Sequence, residues 1–486
     1  MGRVPYKWIV AIVFVAGVFM DILDTTSVNV ALPTLAREFD ATTSQIEWVV
    51  LGYLLSLAVW IPASGWIGDR FGTKKIYLLA LVMFTGASVL CGTADSITEL
   101  TAFRILQGVG GGMLVPVGTA MLFRAFPPIE RAKASTVLII PTVLAPALGP
   151  VVGGWFVTYH SWRWIFYLNV PIGILAFAIG FVGLREHREP TAGRFDLAGF
   201  VLSGTALAGI LFALSRGPSD GWASPEVVVP GVLGAIALVA LIWVETHIDE
   251  PMLALRLFGE RMFRNTNIVT ALSFGSFAGL LFLLPLFLQE LLGLTAIQSG
   301  LTTFPQAIGM ILASQIVGRL YHTVGPRRLM VGGLFALSVV TIPLCFVQLD
   351  TSLWVIRGIM FVRGICMAFS FVPVQAASYA NIEPVDTGRA SAIFSAQRQV
   401  AASLGVALLA TVLIEATHHY NDGVTNPAAL AHGGLDAFHL AFFAAAVGVV
   451  IAAFSALLIR DEDAASTIRR FQDAPEEITP FAGLAD

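Results

Sequence analysis

The chain alternates long apolar runs with short polar connections. Fourteen such runs can be traced, near 8–33, 46–67, 76–94, 98–124, 136–157, 164–184, 195–215, 226–246, 265–291, 296–318, 328–347, 352–375, 390–414 and 437–459. About 20 mostly apolar residues suffice to cross a bilayer as a helix, at about 1.5 Å of rise per residue. Inside lipid each backbone N–H must find its acceptor within the protein, so every run is predicted helical. The first run, Trp8 to Leu32, exceeds the roughly 7–15-residue core of a cleavable signal and has no small-residue cleavage site before its polar end. It is expected to stay as the first span.

Composition agrees. Of 486 residues, 56% are hydrophobic and 12% charged, against about 25% charged in a soluble domain. The net charge of −4 gives no ground for a nucleic-acid partner. Cys91, Cys345 and Cys366 each lie within apolar runs and lack metal-ligand spacing, so they read as packing residues. Basic residues are strongly asymmetric. Arg70, Lys74 and Lys75, then Arg124, Arg131 and Lys133, then Arg185, Arg188 and Arg194, then Arg256, Arg261 and Arg264, then Arg319, Arg327 and Arg328 share a side with Arg3, Lys7, Arg469 and Arg470. The other side holds Arg37, Arg163 and Arg216. By the positive-inside rule both termini are expected in the cytoplasm.

The chain also repeats itself. Residues 65–75 (GWIGDRFGTKK) and 318–328 (GRLYHTVGPRR) each carry glycines seven apart followed by two basic residues. VPV recurs at 115–117 and 372–374, and RAKAS (131–135) is echoed by GRAS (388–391), with Gly149 and Gly405 at matching offsets. The shift is about 253–258 residues each time. Eight spans fill that interval, so the repeat unit is six spans with two inserted between the copies. Parallel six-span halves with a central substrate site are a recognised transporter plan. The expected division is a first half over 1–190, inserted helices over 191–255, a second half over 256–462 and a cytoplasmic tail over 463–486.

Two acids stand within the first run. An ionised side chain inside a span costs about 2.5–3.5 kcal/mol on insertion scales, so it usually faces a cavity and serves a purpose. Asp21 and Asp24, three residues apart, share a helix face. Arg104 is the expected partner of Asp24: counted from their span ends, the two differ in height by about one turn. A nearby guanidinium favours the ionised carboxylate, and its withdrawal favours protonation. That is a device for releasing and loading a proton; a fixed salt bridge between two spans is the alternative. A structural hydrogen bond is likewise the alternative for Asp21.

Together these motifs resemble the major facilitator superfamily, and within it the fourteen-span drug:proton antiporters (the QacA/EmrB-like group). The resemblance rests on LDTTSVNVALP (23–33), the loop at 65–75, FRILQGVGGG with Arg104, Gln107 and Gly108, APALGPVVGG (145–154) and WRWIFYLNVPIG (162–173). Ala145 and Thr73 depart from the family pattern, the latter thinning the loop's charge while Lys74 and Lys75 remain. The resemblance implies an all-α polytopic membrane protein with the major facilitator fold, monomeric, in the bacterial inner membrane. It implies a proton-coupling role for Asp24, which joins Asp21 and Arg104 as the coupling residues expected from depth and charge. It makes Gly65, Asp69, Arg70, Gly72, Lys74 and Lys75 a cytoplasmic latch between the halves. Gly149, Pro150, Gly153 and Gly154, which let helices approach and bend, become an antiporter seal.

Further cavity candidates are Asn29, Gln107, Gln289, Glu290, Gln306, Arg363 and Arg398, with Gln315 and Gln375 as additional amides. Arg363 and Arg398, at mid-membrane depth, are expected to meet either the first-half carboxylates or an anionic head group of a substrate. No G-x-x-x-x-G-K-[ST] motif is present, which excludes an ATP-driven pump in this chain. The adjacent pair His418 and His419 lies at an outer loop without further ligands, so an enzyme is not expected. The expected function is export of an amphipathic drug or toxic compound in exchange for protons, with no cofactor beyond the proton gradient. A dedicated exporter of a lipid, siderophore or amino-acid-like metabolite is the alternative.

Overall fold

A computed structural model describes residues 5–189, 193–248, 251–422 and 426–468. Among the described residues, fourteen helices are long and apolar enough to cross a membrane: α1 (Tyr6–Glu38), α2 (Gln45–Phe71), α3 (Thr73–Thr93), α4 (Ile97–Ala125), α5 (Pro128–Tyr159), α6 (Arg163–Gly183), α7 (Leu197–Asp220), α8 (Pro225–His247), α9 (Arg261–Leu291), α10 (Ile297–Val324), α11 (Pro326–Phe346), α12 (Leu353–Ser378), α13 (Pro384–Asn421) and α14 (Ala429–Ala456). The described residues contain no β-strand. Lys7 pairs with Glu130, and residues 128–130 pack against residues 461–467, so the two described ends share one face, called here the N-terminal face.

Several helices outrun their apolar runs. The run predicted at 390–414 is the centre of a helix from Pro384 to Asn421, and the run at 437–459 begins instead at Ala429. Hydropathy reports only the part that faces hydrocarbon; backbone hydrogen bonding continues through the polar ends. Helix starts on the opposite face use side-chain caps. Thr42 and Gln45 form a capping box at the start of α2, with Gln45 Oε1 accepting the Thr42 N–H at 2.9 Å. Thr295 and Gln298 form the same box before α10, at 3.0 Å. This pair obeys the internal repeat although it was not among the matches singled out in the sequence.

The repeat is visible in the packing. α1 lies against α5 in the first half, and α9 against α13 in the second. On α5, Gly149 sits where a side chain would strike Thr26, and a Cβ at Gly153 would come within 2.8 Å of the Ser27 carbonyl. On the second-half counterparts, a Cβ at Gly279 would come within 2.8 Å of the Gly405 carbonyl. Gly72 (φ 109°) and Gly325 (φ 90°) open α3 and α11 with backbone that a side chain disfavours. After each, a carboxylate from beyond the half's last helix caps the new one: Glu186 accepts from Lys74 N–H at 3.1 Å, and Asp461 from Arg327 N–H at 2.9 Å.

The halves meet along two seams. α2 and α4 run against α13, and α5 runs against α10 and α12. The inserted α7 and α8 form a pair of their own, with a Cβ at Gly209 only 2.5 Å from the Pro230 carbonyl. α7 lies along the first seam: Arg216 pairs with Glu47 of α2, and the Trp222 indole, just beyond α7, donates to Thr411 Oγ1 of α13 at 3.0 Å. α8 turns Val229, Leu233, Ile236, Val239 and Trp243 outward, each at least half exposed. Lipid is the solvent in which such a face carries no penalty.

Candidate functional site

Asp24 and Arg104 are in contact. The Arg104 guanidinium pairs with Asp24 Oδ2, and neither side chain has exposed surface. Asp24 Oδ1 accepts from Gln107 Nε2 at 3.1 Å and from Asn169 Nδ2 at 2.8 Å. Arg104 Nη1 also donates to Gln107 Oε1 at 2.8 Å and its Nε to the Val49 carbonyl at 3.3 Å, while Nη2 has no acceptor. α1, α4 and α6 therefore present their buried polar groups to one point inside the first half. Asn169 stands where α6 breaks between residues 167 and 169, and its Nδ2 also donates to Ser88 Oγ of α3 at 2.9 Å.

Asp21, one turn away, accepts a hydrogen bond from the buried Tyr53 hydroxyl. The Tyr53 ring lies 4.1 Å from the Arg104 guanidinium carbon, a cation–π contact. Tyr53 thus touches both Asp21 and the arginine that holds Asp24. Asp21 retains slight exposure, 7% against 1% for Asp24, so of the two it is the carboxylate with some access.

At the N-terminal face, Asp69 of the expected latch pairs with Arg124 of α4 at 2.9 Å. Arg124 continues to the Pro384 carbonyl at 3.2 Å, in the second half. A Cβ at Gly65 would meet the Gly388 carbonyl at 2.6 Å, and one at Gly388 would meet Asp69 Oδ2 at 2.6 Å. Asp69 therefore faces the first turn of α13, where exposed N–H groups favour a negative charge. Ser391 Oγ donates across the same seam to the Pro116 carbonyl at 2.7 Å, and Phe123 stacks on Tyr379 at 4.2 Å. The rest of the loop does other work. Gly72 and Lys74 bind the 181–187 segment of their own half, Lys74 Nζ reaching the Phe181 carbonyl at 2.7 Å, and Arg70 and Lys75 are exposed.

The glycines expected to seal the halves act mainly within the first. Gly149 and Gly153 seat α5 on α1, where Ser27 Oγ donates to the Gly149 carbonyl at 3.1 Å; Gly154 meets Val30 only at the edge of contact. Contact with the second half comes from their neighbours. Thr136 Oγ1 donates to the Ser314 carbonyl at 3.3 Å, and Val151 approaches Gly300.

The second-half arginines do not meet the first-half carboxylates, which are occupied by Arg104 and Tyr53. Arg363 is buried and donates from Nη1 to Gln306 Oε1 at 2.6 Å, leaving Nε without a partner. Arg398 lies over the Phe274 ring at 4.4 Å. It lines a cavity between α5 and helices α9, α10, α12 and α13, together with Ser135, Thr142, Thr270, Phe277, Met310 and Gln375 among others. The unfilled space is about 500 Å³, including the part open to solvent. Of the other cavity candidates, Gln107 belongs to the Asp24 cluster, while Asn29, Gln289 and Glu290, like Gln315, are exposed and do not line this space.

The Major Facilitator Superfamily family model matches residues 14–406 and 266–484. The chain belongs to that superfamily. Among curated relatives, the Bacillus subtilis protein "Uncharacterized MFS-type transporter YhcA" is 34% identical over 84% of this chain and 77% of that protein. The "Multidrug resistance protein B homolog" of Mycobacterium tuberculosis is 34% identical over 82% of this chain and 74% of that protein. The crystal structure of the human organic anion transporter MFSD10 (TETRAN) superposes with a TM-score of 0.66 at 16% identity, covering 93% of this chain and all of that one, a likeness of fold. With fourteen spans and these relatives, the chain falls in the drug-efflux branch of the superfamily. It is a multi-pass transporter of the bacterial inner membrane, not an enzyme.

Three residues of this major facilitator protein's polar clusters carry no signal of their own in the sequence: Tyr53, Ser88 and Asn169. Asn169 lies inside the WRWIFYLNVPIG motif, so its place was marked though its role was not. Arg124 was noted only as one positive charge among many. Nothing in the sequence singles out Tyr53, an aromatic residue in an apolar helix.

Proposed function

We propose that this protein exports amphipathic drugs or toxic compounds by alternating access, in exchange for protons that enter through the Asp24–Arg104–Asp21 cluster. The observation that carries the reading is the buried Asp24–Arg104 pair inside a span bundle. In the arrangement seen, Arg104 is paired with Asp24. A movement of α4 that withdraws Arg104 leaves a buried carboxylate without its cation, and such a group takes up a proton. The same movement slides the guanidinium off the Tyr53 ring, and Tyr53 carries the disturbance to Asp21. The contacts of Gly65, Asp69 and Arg124 with Pro384 and Gly388 would then be the latch that opens and closes with each cycle, on a cytoplasmic N-terminal face. The names of the multidrug-resistance relatives support the class of cargo.

The test is transport by purified protein in liposomes with an imposed pH gradient, using a panel of fluorescent amphiphiles of either charge. Gradient-driven movement that Asp24→Asn abolishes is the expected result. Movement that ignores the gradient, or survives unchanged in Asp24→Asn, refutes proton coupling through this cluster.

A further inference from the structure

The cavity between α5 and the second half holds a charge that the proton chemistry does not use. Arg398 is the charged residue of its wall, and no aspartate or glutamate lines it. Its guanidinium rests on Phe274 and makes neither an ion pair nor a hydrogen bond with the described residues. Gln306, which holds the buried Arg363, lies one helical turn along α10 from the cavity residue Met310, about 6 Å at the helical rise; the Arg363 Nε has no acceptor. Uncompensated guanidinium groups at membrane depth are costly and are met where a partner arrives from elsewhere. Phe274, Phe277, Phe371 and Phe394 line the same cavity. The wall is mostly apolar, with a few polar groups placed to orient a ligand.

We propose that this cavity binds an amphipathic anion, its carboxylate, sulfonate or phosphate on Arg398 and its apolar body among the four phenylalanines. A planar guanidinium binds such groups through two parallel hydrogen bonds. The inference rests on the export reading above and narrows its cargo. Protons are bound by acids of the first half, and the cargo's negative charge by a base of the second. A cation entering this cavity meets a like charge and no carboxylate.

The experiment measures binding of 11-(dansylamino)undecanoate, its methyl ester and its trimethylammonium analogue to the protein in phosphatidylcholine nanodiscs. The wild type is expected to prefer the carboxylate. Arg398→Gln is expected to weaken the carboxylate about tenfold or more and to leave the ester within about twofold. The ester also shows that the variant is folded, and Arg398→Lys is expected to fall between. Equal loss for carboxylate and ester, or tighter wild-type binding of the ammonium probe, overturns the proposal. Phosphatidylglycerol distinguishes two sources of the same chemistry. Displacement of the probe that requires Arg398 assigns the site to a lipid head group, and no displacement assigns it to a soluble amphiphile. In liposomes with a pH gradient, export of the ammonium probe alone refutes the anion site and leaves proton-coupled export standing. Carboxylate binding through Arg398 without any gradient-driven export does the reverse.

Discussion

Replacing Asp24 by asparagine removes one charge from a pair with no exposed surface. The amide keeps the size of the carboxylate but not its acceptors. If its oxygen stays toward Gln107 and Asn169, its NH2 faces the Arg104 Nη1 donor; if it turns, two amide donors face it instead. In the first orientation Arg104 keeps only Gln107 Oε1 and the Val49 carbonyl, with Nη2 already unpartnered. Removing one member of a buried pair costs about 3–5 kcal/mol. Adding Arg104→Gln removes the stranded charge, so the double variant should lose less than the sum of the single losses, by at least about 1 kcal/mol. Chemical unfolding of the four proteins in mixed micelles measures this cycle. Transport should fail in all three variants, because restored stability does not restore a titrating acid. An Asp24→Asn protein within about 0.5 kcal/mol of wild type, or strictly additive losses, would refute the idea that these two charges depend on each other.

Two further outcomes follow from glycines. Gly65→Val should hold the halves apart, since its Cβ has only 2.6 Å to the Gly388 carbonyl. Spin labels at the exposed positions Phe71 and Glu383, in a background without the three native cysteines, should then report a longer distance; an unchanged distance contradicts the latch geometry. Gly72→Ala and Gly325→Ala should each cost about 1–3 kcal/mol in the same unfolding assay, because both φ values lie where an L-residue is strained. A loss at one position and none at the other would show that the two loops are not mechanical equivalents.

The Asp24–Arg104 pairing was legible because membrane depth can be counted along helices. Two charges at one height in a low-dielectric bundle have few other partners. The contact between the halves at Gly65 and Asp69 was legible only in part. Gly65 and Asp69 do face the other half, but the loop's basic residues turn outward or bind their own half, and the arginine that completes the contact comes from the end of α4. Arg363 and Arg398 resisted assignment for a related reason. Depth placed them in the membrane, but helix rotation, set by packing, decided that they face Gln306 and an open cavity.

Hydropathy and the 253–258-residue repeat determined the span count, the two halves and the inserted pair, since burying backbone in lipid admits few solutions. The tertiary structure decided which face of each helix turns inward. It brought Tyr53 between Asp21 and Arg104, set Asn169 at a helix break, pressed the α5 glycines onto α1, and laid Arg398 over Phe274 in a cavity wall. A helix that is apolar all round carries almost no record of its rotation in its own sequence. Its close-packed neighbours, through small residues and a few hydrogen bonds, supply that record.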